Sequence, residues 1–258
     1  MHELPKYEGE KFEKGAVTEV NDYLTIEETL QININQNPFT VIMRSPGYEE
    51  DMVRGLLYNE DIYTGNSTLQ LDNYKKNKLG YITELNVVLS DSELGNGYLS
   101  SRSLLSVSSC GICGKRELGD LSVNGEKLTG FNFKPELIEV LIDKMRNQQL
   151  GFSQSGGSHA AASFDENGNL LIIREDIGRH NAVDKVVGGL INQNLLKRTK
   201  FLAVSGRVSY EIITKTFRAK IPVLLAVSAP SSLSVDFAKE LGIRLFAFCR
   251  EGKSTRFS

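Results

Sequence analysis

Apolar positions recur along this chain with two periods, one suited to strands and one to helices. In residues 23–34 apolar and β-branched side chains alternate with polar ones, which predicts a strand. Residues 35–38, Asn-Gln-Asn-Pro, carry turn chemistry, and Phe-Thr-Val-Ile-Met over residues 39–43 resumes as a strand, so a hairpin is expected. After the Pro46-Gly47 turn, Met52, Val53, Leu56 and Leu57 stand at helical spacing, and residues 81–89 again read as a strand. A polar, glycine-bearing stretch over residues 91–97 ends that pattern.

The rhythm changes at about Pro135. Leu137, Ile138, Leu141 and Met145 form a helical stripe with Pro135 in its first turn. Strands are expected at residues 160–164 and 170–174, on either side of the turn Asp165-Glu-Asn-Gly168. A helix carrying Ala182, Val183, Val186, Val187, Leu190 and Ile191 on one face follows. Further strands at 201–205, 223–227 and 244–248 alternate with helices at 209–219 and 234–241. That alternation predicts a mainly parallel sheet with right-handed crossovers. The chain therefore divides into a smaller β-rich α+β domain over residues 1–105 and a layered α/β domain over residues 106–258.

Composition narrows the function classes. At 258 residues and 40% hydrophobic content, the chain can bury one large core or two modest ones. Thirty basic residues against 32 acidic ones leave a formal charge of −2, so no whole-molecule field draws it to nucleic acid or a membrane surface. An anionic ligand must be held by a local cluster of Arg and Lys. Residues 1–15 are polar and charged, unlike a signal peptide, and no apolar run reaches spanning length, so a soluble cytoplasmic protein is expected. Three cysteines are too few for a disulfide framework.

Two of those cysteines stand in Ser108-Ser-Cys110-Gly-Ile-Cys113-Gly. Small, glycine-bearing flanks suit a loop that a partner's sulfur can approach, and Lys115 and Arg116 favour the thiolate. Half of a zinc knuckle is the alternative, but no second C-x-x-C or H-x-x-x-H closes a tetrahedral site, and a mixed site would need His159 or His180. Cys249, ending the run Leu-Phe-Ala-Phe-Cys, reads as a packed strand cysteine.

Three turns have the makings of phosphate cradles: Gly206-Arg207-Val-Ser209, Ser228-Ala-Pro-Ser-Ser232 and Gly156-Gly-Ser-His159. Arg179, Arg207, Lys215 and Arg250 are at hand to neutralise phosphates. The densest polar run is Arg174-Glu-Asp-Ile-Gly-Arg-His-Asn181, between a strand and a helix. Asn181 or Asp176 alone would serve as a helix cap. For the whole run a ligand or intersubunit site is expected, with Asp176 and Arg179 as a buried pair and His180 as a donor or proton carrier.

These motifs, with Gly156-Gly-Ser-His-Ala-Ala-Ala162, Glu175-Asp-Ile-Gly-Arg-His-Asn-Ala-Val-Asp-Lys185, Ser205-Gly-Arg207, Ser228-Ala-Pro230 and Phe248-Cys-Arg250, occur in an order that resembles the formate dehydrogenase accessory sulfurtransferase family. The resemblance implies a sulfurtransferase that accepts sulfur as a persulfide on Cys110 and Cys113 from a cysteine desulfurase. It implies delivery to the molybdenum bis-guanine-dinucleotide cofactor of formate dehydrogenase, with a homodimeric carrier and a C-terminal domain similar to cytidine deaminases. The implied cofactor or guanine-nucleotide site comprises Phe248, Cys249, Arg250, Glu251, Gly252 and Lys253, with Gly206, Arg207, His159, Arg179 and His180 as further candidates. No resident metal is expected. A zinc deaminase needs H-x-E before P-C-x-x-C, whereas here Ala161 stands at the glutamate's position and the cysteine pair precedes the histidine. A cofactor-binding chaperone without sulfur transfer is the second reading, and a thiol-disulfide oxidoreductase the third.

Overall fold

The structure is a computed structural model that describes residues 3–65, 67–95, 97–98 and 125–258. Among the described residues three sheets form. Strands β1 (Lys6–Glu13) and β2 (Ala16–Tyr23) make an antiparallel hairpin whose side chains are almost all exposed. Strands β3 (Glu28–Ile34), β4 (Asn37–Arg44), β5 (Gln70–Lys76) and β6 (Ile82–Val88) form a sheet of order β4-β3-β6-β5. Its inner face is set by alternation: Leu30, Ile32 and Ile34 on β3 meet Leu85 and Val87 on β6. Helix α1 (Glu49–Asn59) covers this face with Met52, Val53 and Leu57, and three acids in its first turn suit the positive end of its dipole.

After the stretch outside the described residues come α2 (Leu137–Asn147), the short α3 (Leu150–Ser155), β7 (His159–Phe164), β8 (Leu170–Asp176), α4 (Arg179–Asn192), β9 (Phe201–Val204), α5 (Tyr210–Arg218), β10 (Val223–Ala226), α6 (Ser232–Leu241), β11 (Arg244–Arg250) and β12 (Lys253–Arg256). The strands make a six-stranded sheet of order β12-β11-β10-β9-β7-β8. Side-chain alternation serves two cores. Ala160, Ala162 and Phe164 face α2 with Phe201 and Leu225, while Ala161, Leu202 and Leu224 face α4, α5 and α6. Both faces are covered, which is why β9 and β10 read as unbroken apolar runs.

The expectation of a mainly parallel sheet holds only for its centre. β9, β10 and β11 are parallel, whereas β7 runs antiparallel to β8 and β9, and β12 runs antiparallel to β11. The strand expected over residues 23–34 is two elements, because β2 ends at Tyr23 and β3 begins at Glu28. Pro135 lies just ahead of α2, which starts at Leu137. The boundary expected near residue 105 lies outside the described residues.

The two large sheets meet through α1 and α4. A methyl group added at Gly188 would fall 1.7 Å from the Asp51 carbonyl oxygen, and one at Gly55 would fall 1.9 Å from that of Asp184. Backbones this close admit only hydrogen at those positions. With β7 and β8 on its other side, α4 is buried at every residue from His180 to Leu190.

Candidate functional site

The ends of β9, β10 and β11 and the start of antiparallel β7 lie along one edge of the six-stranded sheet. Ser205 N–H donates to the Ala160 carbonyl at 3.0 Å, and Ala160 N–H donates to Ser205 Oγ at 2.9 Å, which draws His159 against the β9 loop. A methyl at Gly206 would stand 3.2 Å from both His159 Nδ1 and Arg179 Cβ, so glycine is the residue that lets the loop pass between them. His180 Nε2 lies 3.1 Å from Ser209 Oγ and 3.8 Å from Glu211 Oε2. The structure thus brings together His159, Arg179, His180, Gly206 and the exposed Arg207, all singled out by sequence. Phe248 joins this edge through its backbone, its N–H donating to the Ser228 carbonyl at 3.3 Å.

Electrostatics leave the edge with positive charge that no neighbouring carboxylate matches at Arg179 and Arg207 among the described residues. Burial, then the positive charges of Arg179 and Arg207, hold His159 below its ordinary imidazole range, so it is neutral at pH 7. Arg179 Nε is buried and has no hydrogen-bond partner among the described residues. An incoming phosphate or carboxylate would satisfy it and relieve the repulsion between the cations. The backbone cradles contribute less than expected. Val208 N–H is spent on the Ala229 carbonyl at 3.1 Å and Ser231 N–H on that of Val208 at 2.9 Å, so these two N–H groups are not open to a ligand.

The run over residues 174–185 divides between this edge and the seam joining the sheets. Asp176 does not pair with Arg179; its partner is Lys185, at 2.7 Å, where helical geometry returns a buried ammonium to a buried carboxylate. Arg174 pairs with Asp51 at 2.7 Å and stacks over the Tyr48 ring at 3.8 Å. Glu175 caps α3, accepting N–H groups from Gly151 and Phe152, each at 2.8 Å. Asn181 donates to the Met43 carbonyl at 2.8 Å, and Asp184 binds Lys215, buried on α5, at 2.5 Å. Lys215, expected to neutralise phosphate, is therefore committed to the seam.

The remaining candidates lie beside a cavity on the α2 face of the sheet. Cys249, Arg250, Glu251, Gly252 and Lys253 wrap around a space of about 280 Å³ whose opposite wall is α2, with Glu139 and Asp143. Phe248, Glu251 and Gly252 all have positive φ, which turns β11 back into β12. Cys249 faces the core beneath α2, and burial pushes its thiol up to about 11, so it is a packing residue with little thiolate at neutral pH. Cys110 and Cys113 lie outside the described residues. Among the described residues no cluster of His, Cys, Asp or Glu could hold a metal ion, and no helix is long and apolar enough to cross a membrane. Sequence reasoning passed over Ser45, Glu139 and Glu211, since an isolated Ser or Glu carries no local signal.

Comparisons with known proteins agree with these motifs. The model of the FdhD/NarQ family matches residues 25–258. A sulfur carrier protein FdhD of Streptomyces avermitilis is 39% identical over 252 residues, covering 92% of this chain and 87% of the relative. One of Sulfolobus acidocaldarius is 37% identical over 254 residues, covering 96% and 94%. Among solved structures, a candidate formate dehydrogenase accessory protein from Desulfotalea psychrophila superimposes with a TM-score of 0.76 over 99% of this chain and 96% of that one. At 20% identity that likeness shows the fold, which is α/β.

Proposed function

We propose, from the premise that the chain belongs to the FdhD/NarQ family, that it is a sulfur carrier serving formate dehydrogenase and that its sulfur travels as a persulfide on Cys110. The observation that carries this reading is the match to sulfur carrier proteins over more than nine-tenths of the chain. In the proposed reaction the Cys110 thiolate attacks the terminal sulfur of a cysteine desulfurase persulfide. The donor's S–S bond breaks, its cysteine leaves as thiolate, and the new persulfide forms on Cys110, with Cys113 receiving or stabilising it. The recipient is the molybdenum bis-guanine-dinucleotide cofactor, bound as substrate. The arginine edge supports that half of the reading, because Arg179, Arg207 and neutral His159 fit phosphate-class oxygens without a bound metal. Phe248 to Lys253, with the cavity against α2, supply further contacts. A cytoplasmic homodimer belongs to the same proposal.

Incubation of the protein with a cysteine desulfurase and cysteine, followed by intact-mass measurement, tests it. The expected result is a gain of one sulfur that reductant removes and that Cys110→Ala abolishes. No sulfur gain, or stoichiometric zinc lost in Cys113→Ala, would instead leave a cofactor-binding chaperone or a zinc protein.

A further inference from the structure

We infer that Ser45, directly after β4 of the N-terminal sheet, is a positioning residue for the arginine edge of the other sheet. All three of its polar groups are spent on α4 and the segment that leads into it. Its Oγ accepts the Ile177 N–H at 3.1 Å, its N–H donates to Asp176 Oδ2 at 3.1 Å, and its carbonyl accepts Lys185 Nζ at 2.8 Å. Asp176, fully buried, uses its other oxygen to accept Gly178 N–H at 2.8 Å and the Asn181 amide at 3.0 Å. Gly178 is the N-cap of α4 and has no side chain with which to cap it. The start of the helix is therefore fixed from outside, by Asp176 and by Ser45.

Arg179 follows directly, and its Cβ is closely confined. Its Cβ lies against Gly206 on one side, at a separation that a single methyl group would reduce to 3.2 Å, so a shift of residues 177–178 moves the guanidinium relative to Arg207 and His159. Precise placement of charged groups decides how well they meet an oxyanion. The N-terminal sheet thus enters the function as the part that holds the anion site in register. This inference rests on the proposed reading of that edge as the ligand site.

The test uses the full chain with guanosine diphosphate as the probe, and compares wild type, Ser45→Ala and Ser45→Thr by calorimetric Kd and by hydrogen exchange at the Ile177 amide. Ser45→Ala removes one hydrogen bond and is expected to weaken nucleotide binding roughly three- to tenfold and to speed Ile177 exchange. Ser45→Thr keeps the hydroxyl and is expected to restore both. A Ser45→Ala protein that melts lower but binds with wild-type Kd would overturn the inference, since a purely structural role predicts that pattern. If wild type binds neither guanosine diphosphate nor inorganic phosphate, the ligand reading of the edge fails on its own account. Ser45 is then judged by exchange alone, and an unchanged Ile177 amide in Ser45→Ala overturns its role.

Discussion

At the seam between the sheets, charges that leave water do so in opposite pairs: Arg174 with Asp51 at 2.7 Å, Lys185 with Asp176 at 2.7 Å, and Lys215 with Asp184 at 2.5 Å. At the sheet edge, Arg179 and Arg207 crowd the neutral His159 imidazole, and neither has an ion-pair partner among the described residues. Both regions draw on the same run of chain around residues 174–185. The seam closes its electrostatics internally and contributes rigidity. The edge leaves positive charge open, which on the proposed function an outside anion completes.

The sharpest way to break this contrast is to remove one seam carboxylate. Asp184→Ala leaves the Lys215 ammonium and the Asn59 amide buried without their partner. Its expected cost in urea unfolding is about 3–5 kcal/mol. Arg207→Ala, at the exposed edge, is expected to stay within about 0.5 kcal/mol of wild type while weakening anion binding. Equal losses in the two variants would erase the distinction.

Cys249 gives a mid-sized effect with a definite sign. Its folded thiol titrates near 11, above the unfolded range near 9, so its stabilising contribution is complete below pH 9 and is lost as pH rises towards 11. The loss is at most about 3 kcal/mol, read as the difference between the pH–stability curves of wild type and Cys249→Ala. A thiol reagent at pH 7.5 that labels native Cys249 as fast as the unfolded chain would contradict this burial.

The smallest effect sharpens the picture of the edge. His159 is held below the usual imidazole range, so its contribution to stability is present above about pH 6.5 and fades as pH falls through its folded value. Arg207→Ala is expected to move its NMR titration upward, and so is added inorganic phosphate, because each removes positive charge from the imidazole's surroundings. A titration that ignores both would mean that burial and Arg179 set it without Arg207.

The sequence made the elements of the C-terminal sheet legible because their apolar runs are long and bounded by Gly, Pro and Ser. It did not show β1 and β2, where polar residues outnumber apolar ones and both faces meet solvent, so no alternation survives to be read. β5, Gln-Leu-Asp-Asn-Tyr-Lys-Lys, sits on a sheet edge with the same lack of contrast. The mixed direction of the sheet was invisible because a hairpin turn fixes β7 against β8 but says nothing of how β7 meets β9. At the site, Arg179, His180 and Gly206 were findable from the density of polar residues and a tight turn. The partner of Asp176 was not, since choosing Lys185 over Arg179 needs the direction of side chains around a helix, and Ser45 is 131 residues from the carboxylate it binds.

That separation also orders events during synthesis. When β3, β4 and α1 leave the ribosome, their fasteners do not exist: Asp176 is made 131 residues after Ser45, and Arg174 is made 123 residues after Asp51. At roughly 5–20 residues per second, the nascent N-terminal sheet waits on the order of ten seconds with the Gly55 face of α1 unprotected. Contacts this distant in the chain predict that α4 docks onto α1 late in folding, after the elements within each sheet have formed.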